Sequence, residues 1–302
     1  RTKLHRPGVT QDLVCRKRLH ELLDRGLQTP LTLVSAPAGY GKSMLVSHWA
    51  ESLEGPCAWV SLDKGDAELG QFLRYVVAAI QTVVPEACEE TSELLQSGQL
   101  PPGPVLTLTL ANELDALDAP VVLVLDDYHR ISMESGVHEF VDRLVEHPPE
   151  PLRLILTTRR DPPLSLTTLR AASRLTEVRL QDLRFTTPET AEFLATAGRI
   201  TVAEDALAKV QQRIEGWAVG LRLLALALRH VEEPDSFLAE LRGDLPQIQE
   251  YLLREVLAAQ PPEVRERMLE ASILDRFCAE LLDALWAPGR GPGLMERRRE
   301  HQ

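Results

Sequence analysis

Hydrophobic positions along this chain fall into two regimes. Up to about residue 182, short apolar runs alternate with stretches of helical period; beyond it only the helical period persists. Leu31–Ser35, Cys57–Leu62, Val121–Leu125 and Leu152–Thr157 read as strands, and the alternating Leu175–Leu180 as an edge strand. Val121–Leu125 is apolar at every position, as expected of a strand covered on both faces. Between the second and third strands, Leu73, Val76, Val77, Ile80 and Val84 recur at helical spacing. Strand and helix in alternation predict an α/β fold with a parallel sheet and flanking helices, over residues 1–182.

An all-α domain is expected over 183–258. Thr187-Pro188-Glu189-Thr190 predicts a helix with Thr187 as N-cap and Pro in its first turn. Ala191, Phe193, Leu194 and Ala197 form its apolar face, and Gly198 ends it. Further helices are expected over 203–214, 217–228 and 235–257, and from Pro261 onward. Pro101–Pro104 and Pro148–Pro151 read as surface loops. Residues 287–302, rich in Gly, Pro and Arg, carry no packing pattern and read as a disordered tail.

Composition narrows the classes. With 302 residues, 44% hydrophobic and 26% charged, the chain can build more than one packed core. The net charge of -12 gives no dominant basic face, so direct DNA binding by these residues is not expected. The four cysteines are far apart and form no C-x-x-C pair, which fits reduced thiols rather than a zinc site or disulfide scaffold. There is no N-terminal charged-then-apolar signal. The most apolar stretch, around 218–228, is interrupted by Arg222 and too short to span a bilayer. A cytoplasmic location is the expectation.

The chemistry concentrates in Ala36-Pro37-Ala38-Gly39-Tyr40-Gly41-Lys42-Ser43, between the first strand and a helix. Strand, Gly-rich turn, Lys-Ser and helix form the context of a phosphate-binding loop. Gly39 and Gly41 let successive backbone N–H groups converge, and a helix N-terminus favours an anion. Lys42 would reach the β- and γ-phosphates, and Ser43 would bind Mg²⁺. Ala36 departs from the G-x-x-x-x-G-K-[ST] pattern, which has Gly there. About 80 residues on, the third strand ends in Asp126-Asp127. Asp126 suits the metal and Asp127 the attacking water. The fourth strand ends in Thr157-Thr158-Arg159-Arg160, where an Arg can report a terminal phosphate. His129 reads as a satisfied structural histidine, and Trp217 as a core residue rather than a cofactor platform.

Taken in order, Ala-Pro-Ala-Gly-Tyr-Gly-Lys-Ser, Leu-Val-Leu-Asp-Asp-Tyr-His, Thr-Thr-Arg-Arg-Asp-Pro-Pro-Leu, Asp182–Thr186 and Glu215–Ala218 resemble a known family. It is that of the MalT-like, large ATP-binding LuxR-type transcriptional regulators of bacteria, within the STAND class of signal-transduction ATPases. The resemblance covers about residues 3–286. It implies a P-loop nucleotide-binding domain, a helical domain and the start of a winged-helix domain at 259–286. The sensor arm and DNA-binding domain of the family are not matched. It also implies an ADP-held closed state, opening with an unknown inducer and ATP, and self-association of the full-length protein.

By position, Ala38, Gly39, Tyr40, Gly41, Lys42, Ser43 and Met44 would bind ATP or ADP, with Mg²⁺ on Ser43 and Asp126. Lys42, Asp127 and Arg159 would act in hydrolysis. Arg16 lies in Val14–Leu19, where such proteins often bracket the adenine. The class often places Pro in a Gly-x-Pro motif where this chain has Ala218. Two other readings stay open. One is a turnover enzyme, a small-molecule kinase or motor-type ATPase, with Arg159, Arg160, Arg170 and Arg174 in a basic lid. The other is a nucleotide-free scaffold.

Overall fold

The computed structural model describes residues 2–9, 12–97, 100–229, 231, 233–239, 257, 260–272 and 286. They fall into two compact units. The first comprises Arg1–Thr10, Arg16–Ala36 and Lys42–Leu183; the second comprises Gln11–Cys15, Pro37–Gly41 and Arg184–Gln302.

The first unit is an α/β sheet domain. Its strands are β1 (Leu31–Ser35), β2 (Cys57–Ser61), β3 (Val121–Asp126), β4 (Leu152–Thr158) and β5 (Leu175–Val178). All pairings are parallel, in the order β2-β3-β4-β1-β5. Helices α1 (Lys17–Gly26), α2 (Lys42–Glu51), α3 (Leu69–Gln81), α4 (Glu89–Gln96), α5 (Gly103–Asp115), α6 (Gly136–Glu146), α7 (Leu166–Ala171) and α8 (Leu180–Leu183) complete it. β3 is buried at all of its positions, which is why its sequence is a continuous apolar run rather than an alternation. The core joins Leu31 and Leu33 of β1, Leu123 and Leu125 of β3 and Leu154 and Leu156 of β4 to Phe72, Val76 and Ile80 of α3 and Phe140 and Leu144 of α6.

Sheet order positions the chemistry. β4 lies between β1 and β3, so three neighbouring strands end together: β1 before the glycine-rich turn, β3 at Asp126, β4 at Thr158. The crevice beyond the carboxyl ends of parallel strands is where such sheets bind ligands.

The second unit is helical in its described part, with α9 (Thr187–Phe193), α10 (Glu204–Ile214), α11 (Ala218–Leu228), α12 (Pro234–Ala239) and α13 (Pro262–Ala271). α9 runs on into one π turn, Leu194–Gly198. Its core gathers Phe185, Phe193, Leu194, Leu207, Val210, Leu221 and Leu224 around Val14.

Three local expectations change. The N-cap of α9 is Thr186, not Thr187: its side chain accepts from the Glu189 N–H while the Glu189 carboxylate accepts from the Thr186 N–H. Gly103 and Pro104 open α5 instead of extending a loop, because Pro in a first turn sacrifices no helical hydrogen bond. β5 stops at Val178, and Leu180 already begins α8. Most of the Asp235–Leu257 helical expectation, the winged-helix start beyond Ser272 and the 287–302 tail lie outside the described residues. No helix among the described residues is long and apolar enough to cross a membrane.

Candidate functional site

The site is built first from backbone conformation. Gly39 (φ 82°) and Gly41 (φ 75°) are the positive-φ residues of the glycine-rich turn. Ala36 is not among the residues at positive φ. It continues the β1 ladder, donating its N–H to Thr158 O at 3.3 Å, and it is buried. A glycine is therefore not required at that position, and the departure from the consensus costs the turn no conformational strain.

Lys42 and Ser43 open α2. Lys42 is 7% exposed, and its Nζ donates to the Ala36 carbonyl at 2.7 Å. Burial, then the nearby Arg159 guanidinium, lowers its pKa to about 8 against the pull of Asp127 and Asp126. Ser43 Oγ donates to Asp126 Oδ1 at 2.6 Å. Asp126, 5% exposed, also accepts from Thr157 Oγ1 of β4. Burial raises its pKa, against those two hydrogen bonds. Ser43, Asp126 and Thr157 thus form one hydroxyl–carboxylate–hydroxyl group across α2, β3 and β4. A carboxylate and a hydroxyl oxygen are the hard donors a Mg²⁺ ion takes, with water and phosphate oxygens completing the shell.

Asp127 adopts φ 58°, a left-handed conformation rare outside Gly, Asn and Asp. Thr157 Oγ1 accepts the Asp127 N–H at 3.0 Å and so fixes that turn. The Asp127 side chain is 37% exposed while Asp126 is sealed. Two adjacent carboxylates are thereby divided between a buried position and a solvent-facing one. Strain of this kind collects where side-chain aim matters.

Arg159 lies just past β4, near enough to Lys42 and His129 to depress the pKa of both. His129 Nδ1 is buried without a hydrogen-bond partner, 3.8 Å from Asp127 Oδ1. Burial, then Arg159, Lys42, Arg130 and Arg160, lowers its pKa to about 3. The expectation of a satisfied structural histidine is thus corrected: His129 is neutral and holds an unused ring nitrogen beside the exposed acid.

The structure assembles Lys42, Ser43, Asp126, Asp127 and Arg159 around the ends of β1, β3 and β4. Met44 follows on α2, half-buried. Arg16 is buried, and its guanidinium donates to the Leu183 carbonyl at 2.8 Å, with Arg18 donating to Asp182 O beside it. Thr157 escaped the sequence reading as a functional residue, because a threonine in an apolar strand looks like ordinary strand filling.

Pro37–Gly41 group with the second unit, and there Trp217 changes meaning. Its indole Nε1 donates to the Ala38 carbonyl at 3.2 Å. The Val219 N–H donates to Gly39 O at 3.0 Å. Trp217 is not simply core. Burial raises the Tyr40 phenol pKa, and Arg184, a hydrogen-bonding neighbour, opposes the rise.

Comparison with known proteins agrees with this architecture. An AAA ATPase domain model matches residues 13–157, and a MalT winged helix domain model matches 253–302. The HTH-type transcriptional regulator MalT of Yersinia enterocolitica is 32% identical over 297 residues, 98% of this chain and 33% of that protein. The serine/threonine-protein kinase PknK of Mycobacterium tuberculosis is 32% identical over 302 residues, 99% of this chain and 27% of that protein. The chain thus spans about a third or less of the curated relatives it matches. Among solved structures, a Walker-type ATPase of Pyrococcus abyssi has a TM-score of 0.58 at 16% identity, over 99% of this chain and 92% of that one. Cdc6p of Pyrobaculum aerophilum has a TM-score of 0.50 at 13% identity, over 99% and 89%. These two likenesses establish the P-loop NTPase fold. With both domain models matched in order and identity running along nearly its whole length, the chain is similar to the MalT regulators, with an AAA ATPase domain match followed by a match to the MalT winged helix.

Proposed function

We propose that this chain is a nucleotide-gated switch module of a bacterial transcriptional regulator, binding ATP or ADP with Mg²⁺ and hydrolysing ATP slowly. The observation that carries the reading is the buried Lys42 at the start of α2, its Nζ on the Ala36 carbonyl and within electrostatic reach of Arg159, beside the Ser43–Asp126 pair. Two mutually repelling cations gain from a polyanion between them. A hydroxyl–carboxylate pair within the same group supplies the Mg²⁺ position. In this reading Ala38 through Met44 cradle the phosphates, Asp127 orients or deprotonates the attacking water, and Arg159 senses the γ-phosphate. Residues 1–182 bind nucleotide, 183–258 form the helical partner, and 259–286 begin the winged helix. A γ-phosphate held by Arg159 in one conformational state only would bias the switch by that differential contact. Inducer recognition, self-association on ATP and a cytoplasmic setting are carried from the MalT-like family to the whole protein of which this sequence is part.

Of the four arginines in the basic-lid reading, Arg170 and Arg174 are already engaged. Arg170 pairs with Glu177 at 2.9 Å, and Arg174 donates to the Val145 and Glu146 carbonyls at the end of α6. Both cations already serve the fold.

Nucleotide released from the purified protein by denaturation, and resolved by chromatography, tests the proposal. Near-stoichiometric ADP is expected, and Lys42→Ala should abolish it. A protein that carries no nucleotide and fails to bind added Mg·ATP would return the scaffold reading.

A further inference from the structure

A nest of backbone N–H groups that converge on an anion turns carbonyls the other way, and those carbonyls need donors of their own. In the second unit the tip of the glycine-rich turn has them. Ala38 O accepts from Trp217 Nε1, and Gly39 O from the Val219 N–H. Tyr40 meets Arg184, which pairs with Glu215 at 2.9 Å. Three consecutive residues of the tip therefore each meet Arg184 or the 215–219 turn.

That turn is made for the task. Glu215 (φ 52°) and Gly216 (φ 69°) both take the left-handed conformation at the end of α10. Gly216 O accepts the Phe185 N–H at 2.9 Å, and a Cβ at Gly216 would stand 2.4 Å from Phe185 O. Trp217 then serves as the N-cap residue of α11. One turn later, a Cβ at Gly220 would come within 2.6 Å of the Trp217 ring. Gly220 is thus the seat of the indole, and it fixes where the indole N–H points.

We propose that Trp217 is a positioning residue for phosphate binding: its indole N–H, with the Val219 amide, holds the Ala38 and Gly39 carbonyls outward and so keeps the loop amides facing a nucleoside polyphosphate. The inference rests on the nucleotide-binding reading above and goes beyond it in assigning a tryptophan of the helical unit to the loop. Trp217 acts through the loop backbone and needs no contact with the nucleotide.

Trp217→Phe in the 302-residue chain keeps an aromatic ring on Gly220 and removes the N–H. Equilibrium dialysis of Mg·ADP and Mg·ATP, with a thermal midpoint taken without added nucleotide, reads the effect. Binding of both nucleotides should weaken about three- to tenfold, the size of one hydrogen bond, at a midpoint close to the parent's. Unchanged affinity, in a parent that binds nucleotide, overturns the positioning role and leaves the nucleotide reading intact. A parent that binds neither nucleotide overturns both. Should Trp217→Phe fail to fold, the parent decides through its ¹⁵N-indole spectrum, with Trp217 assigned by Trp49→Phe, Trp59→Phe and Trp286→Phe. Saturating Mg·ADP should shift the Trp217 resonance; an unmoved resonance overturns the proposal.

Discussion

Ser43 Oγ donates to Asp126 Oδ1 at 2.6 Å across 83 residues of sequence. One group stands at the mouth of α2, the other at the end of β3, and Thr157 of β4 donates to the same carboxylate oxygen. The relationship joins three segments that share no sequence pattern, and it makes the site a property of strand order.

Asp126→Asn should separate stability from function. Burial raises the Asp126 pKa, so ionisation there works against the fold as pH rises from acid to neutral. An amide oxygen still accepts from Ser43 and Thr157 while the buried charge is gone. The variant should therefore melt higher than the parent at pH 7, by a margin that narrows on acidification. It should also lose the Mg²⁺ dependence of nucleotide binding. Thermal melts across pH and binding with and without Mg²⁺ check both halves; an unchanged Mg²⁺ requirement removes Asp126 from the metal.

Asp127→Asn should fold like the parent, because Asn tolerates the left-handed backbone that Asp127 holds at φ 58°. It should retain nucleotide affinity and lose ATP turnover by about 10²-fold or more, the usual contribution of a general base. Asp127→Ala should lose turnover similarly and also give up about 1–2 kcal/mol to the strained backbone. Equal hydrolysis by either variant removes Asp127 from its assigned role.

Glu177 offers a pH test remote from the site. Hydrogen bonds from Arg170, then Arg179, hold its pKa at about 2, against an ordinary 4.5 and the opposing effect of burial. A depressed carboxylate contributes stability above its unfolded pKa and loses it as pH falls through the folded one. Glu177→Gln should thus lower the thermal midpoint by a few degrees at pH 7. The difference should shrink between about pH 4.5 and pH 2, and in high salt, since these side chains are partly exposed. A difference independent of pH would show that packing, not charge, is what the substitution disturbs.

Gly216→Ala should be among the most damaging small substitutions in the second unit. Its φ of 69° already strains any side chain, at about 1–2 kcal/mol, and the new Cβ would stand 2.4 Å from Phe185 O. Denaturant melts should show a loss larger than that strain alone. Stability within a few tenths of a kcal/mol of the parent would mean that the turn relaxes freely.

How much of this was legible in the sequence follows from the range of the forces. The inner strands of the first unit were readable because burial on both faces writes continuous apolar runs, as in Val121–Leu125. The glycine-rich turn was readable because its geometry is local: two glycines at positive φ, then Lys-Ser at a helix start. The α9 cap was misplaced by one residue because Thr186 and Thr187 offer the same hydroxyl, and only the Glu189 carboxylate, accepting from the Thr186 N–H, distinguishes them. Thr157, His129 and Trp217 were undervalued for a different reason. Their surroundings are set by a partner distant in the chain or by a lost solvation shell, and neither leaves a periodic trace.

The sequence by itself determined the α/β class, the glycine-rich turn between β1 and α2 and the acidic pair at the end of β3, because periodicity, backbone freedom and local charge are written residue by residue. Only the tertiary structure decided that β4 enters between β1 and β3, which brings Thr157 to Asp126 and Arg159 within electrostatic reach of Lys42. It alone showed that Ala36 needs no glycine, and that an indole N–H answers the Ala38 carbonyl. Hydrogen bonds and desolvation act over a few ångströms of space, and the distance between their partners along the chain is fixed only when the sheet closes.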